Sequence, residues 1–322
     1  MEPVYASVDL GGTNIKYALA TKDGRILCLK SAPTQSHEGP EAVLERIAVL
    51  ICDLDKEVGY EPIALGMGVP GLVDIKRGIT KFLPNMPTKW REVPVRDILS
   101  PKVKCPVYLL NDVRTATLGE LTFGHGRTVQ TMVFFALGTG IGGGVVIEGK
   151  LRLGPLGAAG ELGHQTIIPD GPICGCGNHG CLEALASGPA ITAEGIRLMQ
   201  SGLAPKLHKM TGGDISYVTI KEMVVAAEAG DDNVRDAIIR AACYLGIGVA
   251  NAVTILHPDL VVFGGGVAQI GDLLLNTVRN TVQDRVGMFP TDNVVIKLSM
   301  LGDNAGTLGG IALAMKGGLL ED

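Results

Sequence analysis

Three cysteines lie close together in the middle of the chain, each next to a glycine: Cys174, Cys176 and Cys181. Thiolates and imidazole are the ligands that structural zinc prefers, and such a site takes four of them. The fourth ligand is either His164, upstream of the cysteines, or His179, within their segment. We expect His164, because a distant ligand closes a loop, whereas His179 would share an already tight turn. Three reduced thiols without a metal are the alternative.

Two glutamates bracket the cysteine segment. Glu161 precedes His164, and Glu183 follows Cys181. A zinc site would hold both carboxylates in place. Carboxylates and imidazole together suit a ligand with several hydroxyl groups, and a site built this way rejects analogues that lack a hydroxyl. Ordinary solvated surface glutamates are the alternative. The pattern therefore predicts a sugar-binding site next to the zinc.

Two glycine-rich turns follow strand-like segments, one in each half of the chain, and a third glycine cluster follows a later strand. Backbone amides and a threonine hydroxyl can cradle phosphate in such turns, because glycine lets the backbone approach the anion. A single Gly-Gly-Thr turn would be read as an ordinary hairpin, but its repetition favours a nucleotide polyphosphate. The expected phosphate-binding residues are Asp9, Gly11, Gly12, Thr13, Asn14, Gly138, Thr139, Gly140, Gly142, Gly143, Gly265 and Gly266.

The second turn also matches the dinucleotide fingerprint G-x-G-x-x-G, but its context is wrong. That fingerprint requires a helix immediately afterwards. Here the strand-like segment Val145–Glu148 follows. The sequence contains no G-x-x-x-x-G-K-[ST] motif either. Both the Rossmann fold and the P-loop NTPases are therefore excluded at the level of motifs.

Asn111 and Asp112 lie where the predicted strand Val107–Leu110 ends and the predicted helix Asp112–Leu121 begins. Asn and Asp are preferred N-cap residues, so capping is one interpretation. The other makes Asp112 the base that accepts a hydroxyl proton during phosphoryl transfer. The two interpretations are compatible, because one residue can cap the helix while its neighbour reacts.

The elements that must position these residues alternate between strand and helix, which predicts an α/β fold with mixed sheets. We place the smaller N-terminal domain at residues 1–113 and the larger domain, with the zinc loop, at 114–303. We expect the terminal helix, within 304–322, to pack back on the first domain. The other expected strands are Val4–Asp9, Ile15–Ala20, Arg25–Ser31, Ile63–Val69, Thr131–Leu137, Leu260–Phe263 and Val294–Leu298. The other expected helices are Glu41–Val58, Ala184–Gln200, Ile220–Ala229, Asn233–Leu256 and Ala305–Met315.

Composition excludes several classes of protein. Hydrophobic residues are 46% of the 322 residues, so disorder is excluded. A formal net charge of −5 and an aromatic content of 4% argue against nucleic acid as a partner. The uncharged stretch 128–147 is broken by glycines, so we expect a buried hairpin and no membrane partner. Seven cysteines and a start without a basic segment predict a reducing cytoplasm and no signal peptide.

Taken in order, these motifs resemble the ROK family of bacterial sugar kinases and related repressors. The resemblance covers nearly the whole chain, and the histidine motif followed by the cysteine motif is its most specific part. The matching segments are Asp9–Thr13, Val69–Gly71, Leu83–Asn85 with Trp90, Asn111–Asp112, Gly138–Gly144, Gly160–His164, Cys174–Glu183 and Gly264–Gly266.

The resemblance implies the two-domain actin/hexokinase-like (ribonuclease H-like) fold, with a ligand cleft between the domains. It implies ATP-dependent phosphorylation of a hexose with Asp112 as base and Asp9 near Mg²⁺, through water. It also implies a dimer or tetramer. The zinc ligands that it implies are His164, Cys174, Cys176 and Cys181. The sugar-binding residues that it implies are Gly71, Asn85, Asn111, Asp112, Glu161, His164 and Glu183.

One segment departs from the family pattern. The family usually continues Asn-Asp with Ala-Asn-Ala-Ala, whereas this chain has Val113, Arg114, Thr115 and Ala116. The base is untouched, but the packing beside it differs, and sugar preference can change with it.

The leading hypothesis is a glucokinase that phosphorylates the 6-hydroxyl of glucose. Rivals in the same class act on fructose, allose, N-acetylglucosamine or N-acetylmannosamine. A non-catalytic sugar sensor and a zinc-stabilised interaction module are the alternatives from other classes. The family's repressors carry a winged helix ahead of the first sheet, and the early position of Asp9 leads us to expect none here.

Overall fold

The computed structural model describes residues 2–83, 86–88 and 90–320. The strands are β1 (Val4–Leu10), β2 (Asn14–Thr21), β3 (Ile26–Pro33), β4 (Leu65–Val69), β5 (Leu72–Asp74), β6 (Ile79–Phe82), β7 (Val107–Asn111), β8 (Met132–Leu137), β9 (Ile141–Ile147), β10 (Lys150–Arg152), β11 (Leu260–Gly264) and β12 (Val295–Leu298). The helices are α1 (Pro40–Val58), α2 (Val95–Val103), α3 (Asp112–Phe123), α4 (Leu182–Ala186), α5 (Gly188–Gln200), α6 (Pro205–Thr211), α7 (Ile220–Glu228), α8 (Asp232–Leu256), α9 (Asp272–Arg285) and α10 (Ala305–Met315). The expected α/β fold class is confirmed.

The chain divides into two compact units. The first consists of Met1–Gln130, Gly144–Gly160 and Ser299–Asp322, and the second of Thr131–Gly143 and Glu161–Leu298. These bounds differ from the expected division at 113/114, which falls inside α3. That helix stays with the first unit because it packs on α10 and on β4.

The first unit is built on a sheet with the strand order β3-β2-β1-β4-β7. Strands β1, β4 and β7 are parallel, so their carboxyl ends share one edge. Side chains alternate along β1: Val8 and Leu10 belong to the core that includes α1. Ser7 and Asp9 lie on the opposite side of the sheet, which α10 covers. The helix lies so close to the sheet that the backbones of Gly66 and Gly310 are in contact. This alternation places Asp9 on the α10 side of the sheet.

The second sheet has the order β10-β9-β8-β11-β12, with β8 and β11 parallel. Phe135 and Phe263 pack together in the core of the second unit, with ring centroids 5.6 Å apart. Helix α8 contributes to the same core. It is long and apolar enough to span a bilayer by length and composition, but 56% of its most apolar stretch is buried inside the protein. Its hydrophobicity is therefore accounted for by packing in the core.

Several elements differ from those expected from the sequence. Gly142, Gly143 and Gly144 lie inside β9, so the glycine turn is shorter than expected. The expected helix 184–200 is two helices, since Ser187 ends α4 and its side chain accepts a hydrogen bond from Ala190 N–H, which caps α5. Short elements without a clear apolar period were not anticipated: the β5–β6 hairpin, β10 and α6.

Candidate active site and metal centre

The carboxyl edge of the first sheet brings together four residues expected at the site. Asp9 on β1 is in register with Gly68 on β4, and Val69 is in register with Asn111 on β7. Gly71 follows β4, and its carbonyl accepts a hydrogen bond from Asn111 Nδ2 at 3.2 Å. Asp112 follows β7 directly. Neighbouring parallel strands thus collect these residues, although they are far apart in the sequence.

Asn111 and Asp112 divide their two possible roles between them. Asn111 caps α3, because its Oδ1 accepts hydrogen bonds from the amides of Val113 and Arg114. Asp112 Oδ1 accepts from Val113 N–H at 2.8 Å and from Asn111 Nδ2 at 2.9 Å. The capping requirement is therefore met by Asn111, which leaves the other oxygen of Asp112 available for chemistry.

The surroundings of Asp112 raise the pKa of its carboxyl group to about 6. Desolvation is the largest cause, and the negative charge of Asp9 acts in the same direction. The Val113 N–H, the Arg114 guanidinium and the Asn111 amide lower this pKa and offset part of the rise. The result is a carboxylate that is ionised at neutral pH and more basic than an ordinary aspartate, as a general base requires.

The first glycine turn is exposed at Gly12, Thr13 and Asn14, whereas Asp9 beside it is half-buried. Burial raises the pKa of Asp9, and the nearby Lys16 ammonium lowers it. Helix α10 approaches this carboxylate closely: a Cβ atom on Gly306 would lie 2.6 Å from Asp9 Oδ2.

A buried threonine braces the same turn. Thr34 Oγ1 donates to the carbonyl of Gly11 at 2.7 Å, and Thr34 N–H donates to the carbonyl of Thr13 at 2.8 Å. Neither Thr34 nor Gly306 was anticipated from the sequence. Local spacing carries no signal for them, since both contacts are distant along the chain.

In the second unit, the turn between β8 and β9 consists of Gly138, Thr139 and Gly140, and Thr139 is exposed. Gly265 follows the parallel strand β11 and lies against the carbonyl of Leu137, so both glycine segments share one edge of the sheet. Gly265 and Gly266 are exposed. Gly142 and Gly143 lie in β9, and Gly143 is buried, so their contact with a nucleotide stays a prediction.

The four expected metal ligands converge in the second unit. The Sγ atoms of Cys174, Cys176 and Cys181 and a ring nitrogen of His164 all lie within 4.8 Å of one another. Cys176 Sγ and Cys181 Sγ are 3.7 Å apart, as are Cys174 Sγ and His164 Nδ1. Ligands about 2.3 Å from a tetrahedral zinc ion would be separated by about 3.7 Å. The donor set and spacing therefore fit structural zinc.

The rival ligand His179 is engaged elsewhere. Its Nδ1 lies 3.2 Å from the carbonyl oxygen of Gly171, and it is outside the group of four.

The ionisation of the cysteines also bears on the metal. Burial raises the pKa of Cys181 to about 12. A bound cation would lower that pKa and hold Cys181 as a thiolate.

The other expected sugar ligands of the second unit border this centre. His164 Nδ1 faces the thiols, and its Nε2 lies 4.0 Å from Glu161 Oε2. Glu183 Oε2 accepts a hydrogen bond from Ile141 N–H at 2.9 Å, and Glu183 Oε1 lies 3.8 Å from Cys174 Sγ. Glu183 thus connects the cysteine segment to the glycine turn, a link that the sequence did not reveal. A Cβ atom on Gly140 would lie 2.4 Å from Glu183 Oε2, so a side chain at this position would displace the carboxylate.

One expected sugar ligand, Asn85, lies outside the described residues. Arg114, which the sequence flagged only as a departure from a family pattern, lies buried beside Asn111.

Comparison with known proteins decides the family. The ROK family model matches residues 5–317. The chain belongs to the ROK family. It is 38% identical to a glucokinase of Thermotoga maritima over 95% of each chain. It is 33% identical to the xylose repressor of Caldicellulosiruptor bescii, over 96% of this chain and 77% of the repressor.

A solved structure of this family gives the fold. The ROK family glucokinase of Streptomyces griseus, solved in complex with glucose and AMPPNP, superimposes with a TM-score of 0.84. The two proteins are 32% identical, and the match covers 97% of this chain and 99% of the other. This ROK protein therefore has the two-domain α/β architecture of the family's sugar kinases, as expected from its motifs.

Proposed function

We propose that this ROK family protein transfers the γ-phosphoryl group of ATP to the 6-hydroxyl of glucose. The half-buried Asp112 carries the proposal, because its carboxylate is held by Val113 N–H and Asn111 Nδ2 and has a pKa raised to about 6. The similarity to the Thermotoga maritima glucokinase supports the reaction. The Streptomyces griseus structure supports both substrates, since AMPPNP is an ATP analogue.

In the proposed reaction, the carboxylate of Asp112 accepts the proton of the sugar 6-hydroxyl. The oxygen attacks the γ-phosphorus, the bond to the β-phosphate oxygen breaks, and ADP leaves. The 6-hydroxyl proton ends on Asp112, and the phosphoryl group ends on the sugar. Positioning of the two reactants contributes most of the acceleration of such a transfer.

The remaining residues would bind and orient the substrates. Gly71, Asn85, Asn111, Glu161, His164 and Glu183 are the proposed sugar ligands, and the exposed glycine turns are the proposed ATP site. Asp9 is the proposed partner of Mg²⁺, through water. When bound, Mg²⁺ neutralises charge on the phosphates. Helix α10 approaches the Asp9 carboxylate closely at Gly306, and the nearby Lys16 ammonium lowers the pKa of this carboxylate.

Structural zinc, held by His164, Cys174, Cys176 and Cys181, completes the proposal. Four nitrogen and sulfur ligands give a closed site without an open position for chemistry. Zinc would thus orient the sugar site, since His164 turns its second ring nitrogen towards Glu161. A homo-oligomeric state, a cytoplasmic location and the lack of nucleic acid and membrane partners stay predictions.

The decisive experiment is a panel assay of ADP release with wild-type protein and glucose, fructose, allose, N-acetylglucosamine and N-acetylmannosamine. Phosphorus NMR of the product identifies the hydroxyl that is phosphorylated. We expect the highest kcat/KM for glucose and glucose 6-phosphate as product. Preference for another hexose would correct the substrate. Sugar binding without ADP release on any sugar would favour the sensor hypothesis.

A further inference from the structure

An arginine is buried immediately behind the proposed base. Arg114 is 2% exposed and lies in the first turn of α3. Its Nη1 donates to Asn111 Oδ1 at 3.1 Å. Its Nε and Nη2 both donate to the carbonyl oxygen of Ala159, at 3.2 and 2.9 Å. A buried charge is costly unless its donors are satisfied, and the planar guanidinium satisfies them here in one fixed geometry.

One end of this contact fixes the orientation of the Asn111 amide. Asn111 Oδ1 accepts from Val113 N–H at 3.1 Å, from Arg114 N–H at 3.2 Å and from Arg114 Nη1. Three donors saturate a carbonyl oxygen, so a flipped amide would place its own N–H groups against them. Asn111 Nδ2 must therefore point towards the Gly71 carbonyl and the Asp112 carboxylate.

The other end of the contact holds a glycine-rich segment. The 154–160 segment contains Gly154, Gly157 and Gly160, with φ angles of +71°, +70° and +89°. Glycine loses more conformational freedom on ordering than any other residue. The paired hydrogen bonds from Arg114 to the Ala159 carbonyl attach this segment to α3. The next residue in the chain is Glu161, one of the proposed sugar ligands.

We propose that Arg114 is a positioning residue for sugar recognition, because it ties the amide of Asn111 and the 154–160 segment to one rigid group. The proposal rests on the proposed function, since Asn111, Asp112 and Glu161 serve the sugar there. Arg114 does not itself touch the reacting atoms. It orients one proposed sugar ligand, Asn111, directly. It also holds the segment that precedes a second proposed sugar ligand, Glu161.

The test compares Arg114→Met, Arg114→Lys and a matched control, Arg96→Met. Arg96 lies in α2 of the same unit, and its guanidinium also donates to backbone carbonyls: those of Val107, Lys76 and Ile75, at 3.0, 2.7 and 2.9 Å. Its loss removes a similar clamp that has no bond to Asn111. For each protein, steady-state kinetics give kcat and the KM values for glucose and ATP. Hydrogen–deuterium exchange measures the peptides that cover the 154–160 segment.

We expect Arg114→Met to raise the KM for glucose by about 10- to 100-fold, the scale of an ångström-sized misplacement, while the KM for ATP is unchanged. Exchange in the 154–160 segment should accelerate. Arg114→Lys should recover part of the loss, because an ammonium group can reach only one of the two acceptors. Arg96→Met should leave the KM for glucose and the exchange of the 154–160 segment unchanged, even if its melting temperature falls as far as that of Arg114→Met.

An unchanged KM for glucose in Arg114→Met would overturn the proposal, whatever the exchange shows. Equal rises in both KM values, or the same changes in Arg96→Met, would reduce Arg114 to a structural residue and overturn it as well. If Arg114→Met does not fold, the same comparison is made with Arg114→Lys. Wild-type protein without glucose kinase activity would instead refute the proposed function. Exchange in the 154–160 segment then still decides whether Arg114 holds that segment.

Discussion

Replacement of Asp112 by asparagine should separate catalysis from stability. The substitution keeps the shape of the side chain, and its carbonyl oxygen can still accept the hydrogen bonds from Val113 N–H and Asn111 Nδ2. The fold and glucose affinity should therefore persist. The variant lacks the proposed proton acceptor, so kcat should fall by at least about 100-fold, the scale of losing a positioned base.

The same substitution should stabilise the protein. The ordinary pKa of the Asp112 carboxyl is 3.8, and the fold raises it to about 6. A raised pKa means that ionisation opposes folding, by up to about 3 kcal/mol for about two pKa units. This cost is absent below about pH 4, grows as the pH rises towards 6 and is complete above it. The amide that replaces the carboxyl group carries no charge, so Asp112→Asn should be more stable than wild type at pH 8 and equal to it near pH 4.

Denaturant unfolding at pH 4 and pH 8 tests the stability difference, and ADP release with calorimetric glucose binding tests catalysis. The wild-type kcat should decline as the pH falls through about 6, because Asp112 becomes protonated. A variant with near wild-type kcat would remove Asp112 from the role of base. Two outcomes would refute the explanation by desolvation of Asp112. In one, the folded variant is less stable than wild type at pH 8. In the other, the difference in stability between variant and wild type does not shrink as the pH falls towards 4.

Three further predictions concern the metal centre and the turn at Asp9. Purified protein should contain about one zinc per chain; His164→Ala should lose it and His179→Ala retain it, as elemental analysis can show. Cys176→Ser should weaken glucose affinity far more than affinity for a non-hydrolysable ATP analogue, measured by calorimetry, because the proposed zinc would orient the proposed sugar ligands. Gly306→Ala should lower kcat with little loss of thermal stability, since the new methyl group displaces the Asp9 carboxylate and leaves the backbone in place.

The outcomes that would contradict these predictions are distinct. Retention of zinc in His164→Ala and its loss in His179→Ala would reverse our assignment of the fourth ligand. Equal losses of glucose and nucleotide affinity in Cys176→Ser would mean that zinc only stabilises the fold. The control for Gly306→Ala is Gly287→Ala, where the added methyl group meets open space. The same kcat loss in both variants would mean that the loss does not arise from displacement of the Asp9 carboxylate.

Local patterns in the sequence were sufficient for the main elements and for several site residues. The turn between β1 and β2, the helix α1 and the junction of β7 with α3 follow from alternation, helical period and capping chemistry within a few residues. The cysteine spacing likewise brings three thiols together within one short segment. Contacts of this range depend little on the rest of the chain, so the sequence alone determines them.

Only the structure shows which of the two residues at the junction of β7 and α3 caps the helix. The sequence left open whether Asn111 or Asp112 caps the helix, because both residue types can do so. The choice depends on the amide orientation that Arg114 and the Gly71 carbonyl impose on Asn111. The raised pKa of Asp112 also depends on burial and on Asp9, a residue of another strand.

The remaining contacts join residues that are far apart in the chain. Thr34 supports the first glycine turn, Gly306 abuts Asp9, Glu183 bonds to Ile141, and Arg114 clamps the carbonyl of Ala159. None of these residues has a local spacing that reveals its partner. Each pair meets only when strands and helices pack, and hydrogen bonds and close approaches depend on ångström-scale distances that no periodicity encodes. The sequence by itself therefore determined which chemical groups are present and which elements carry them, and the tertiary structure alone decided how those groups are oriented.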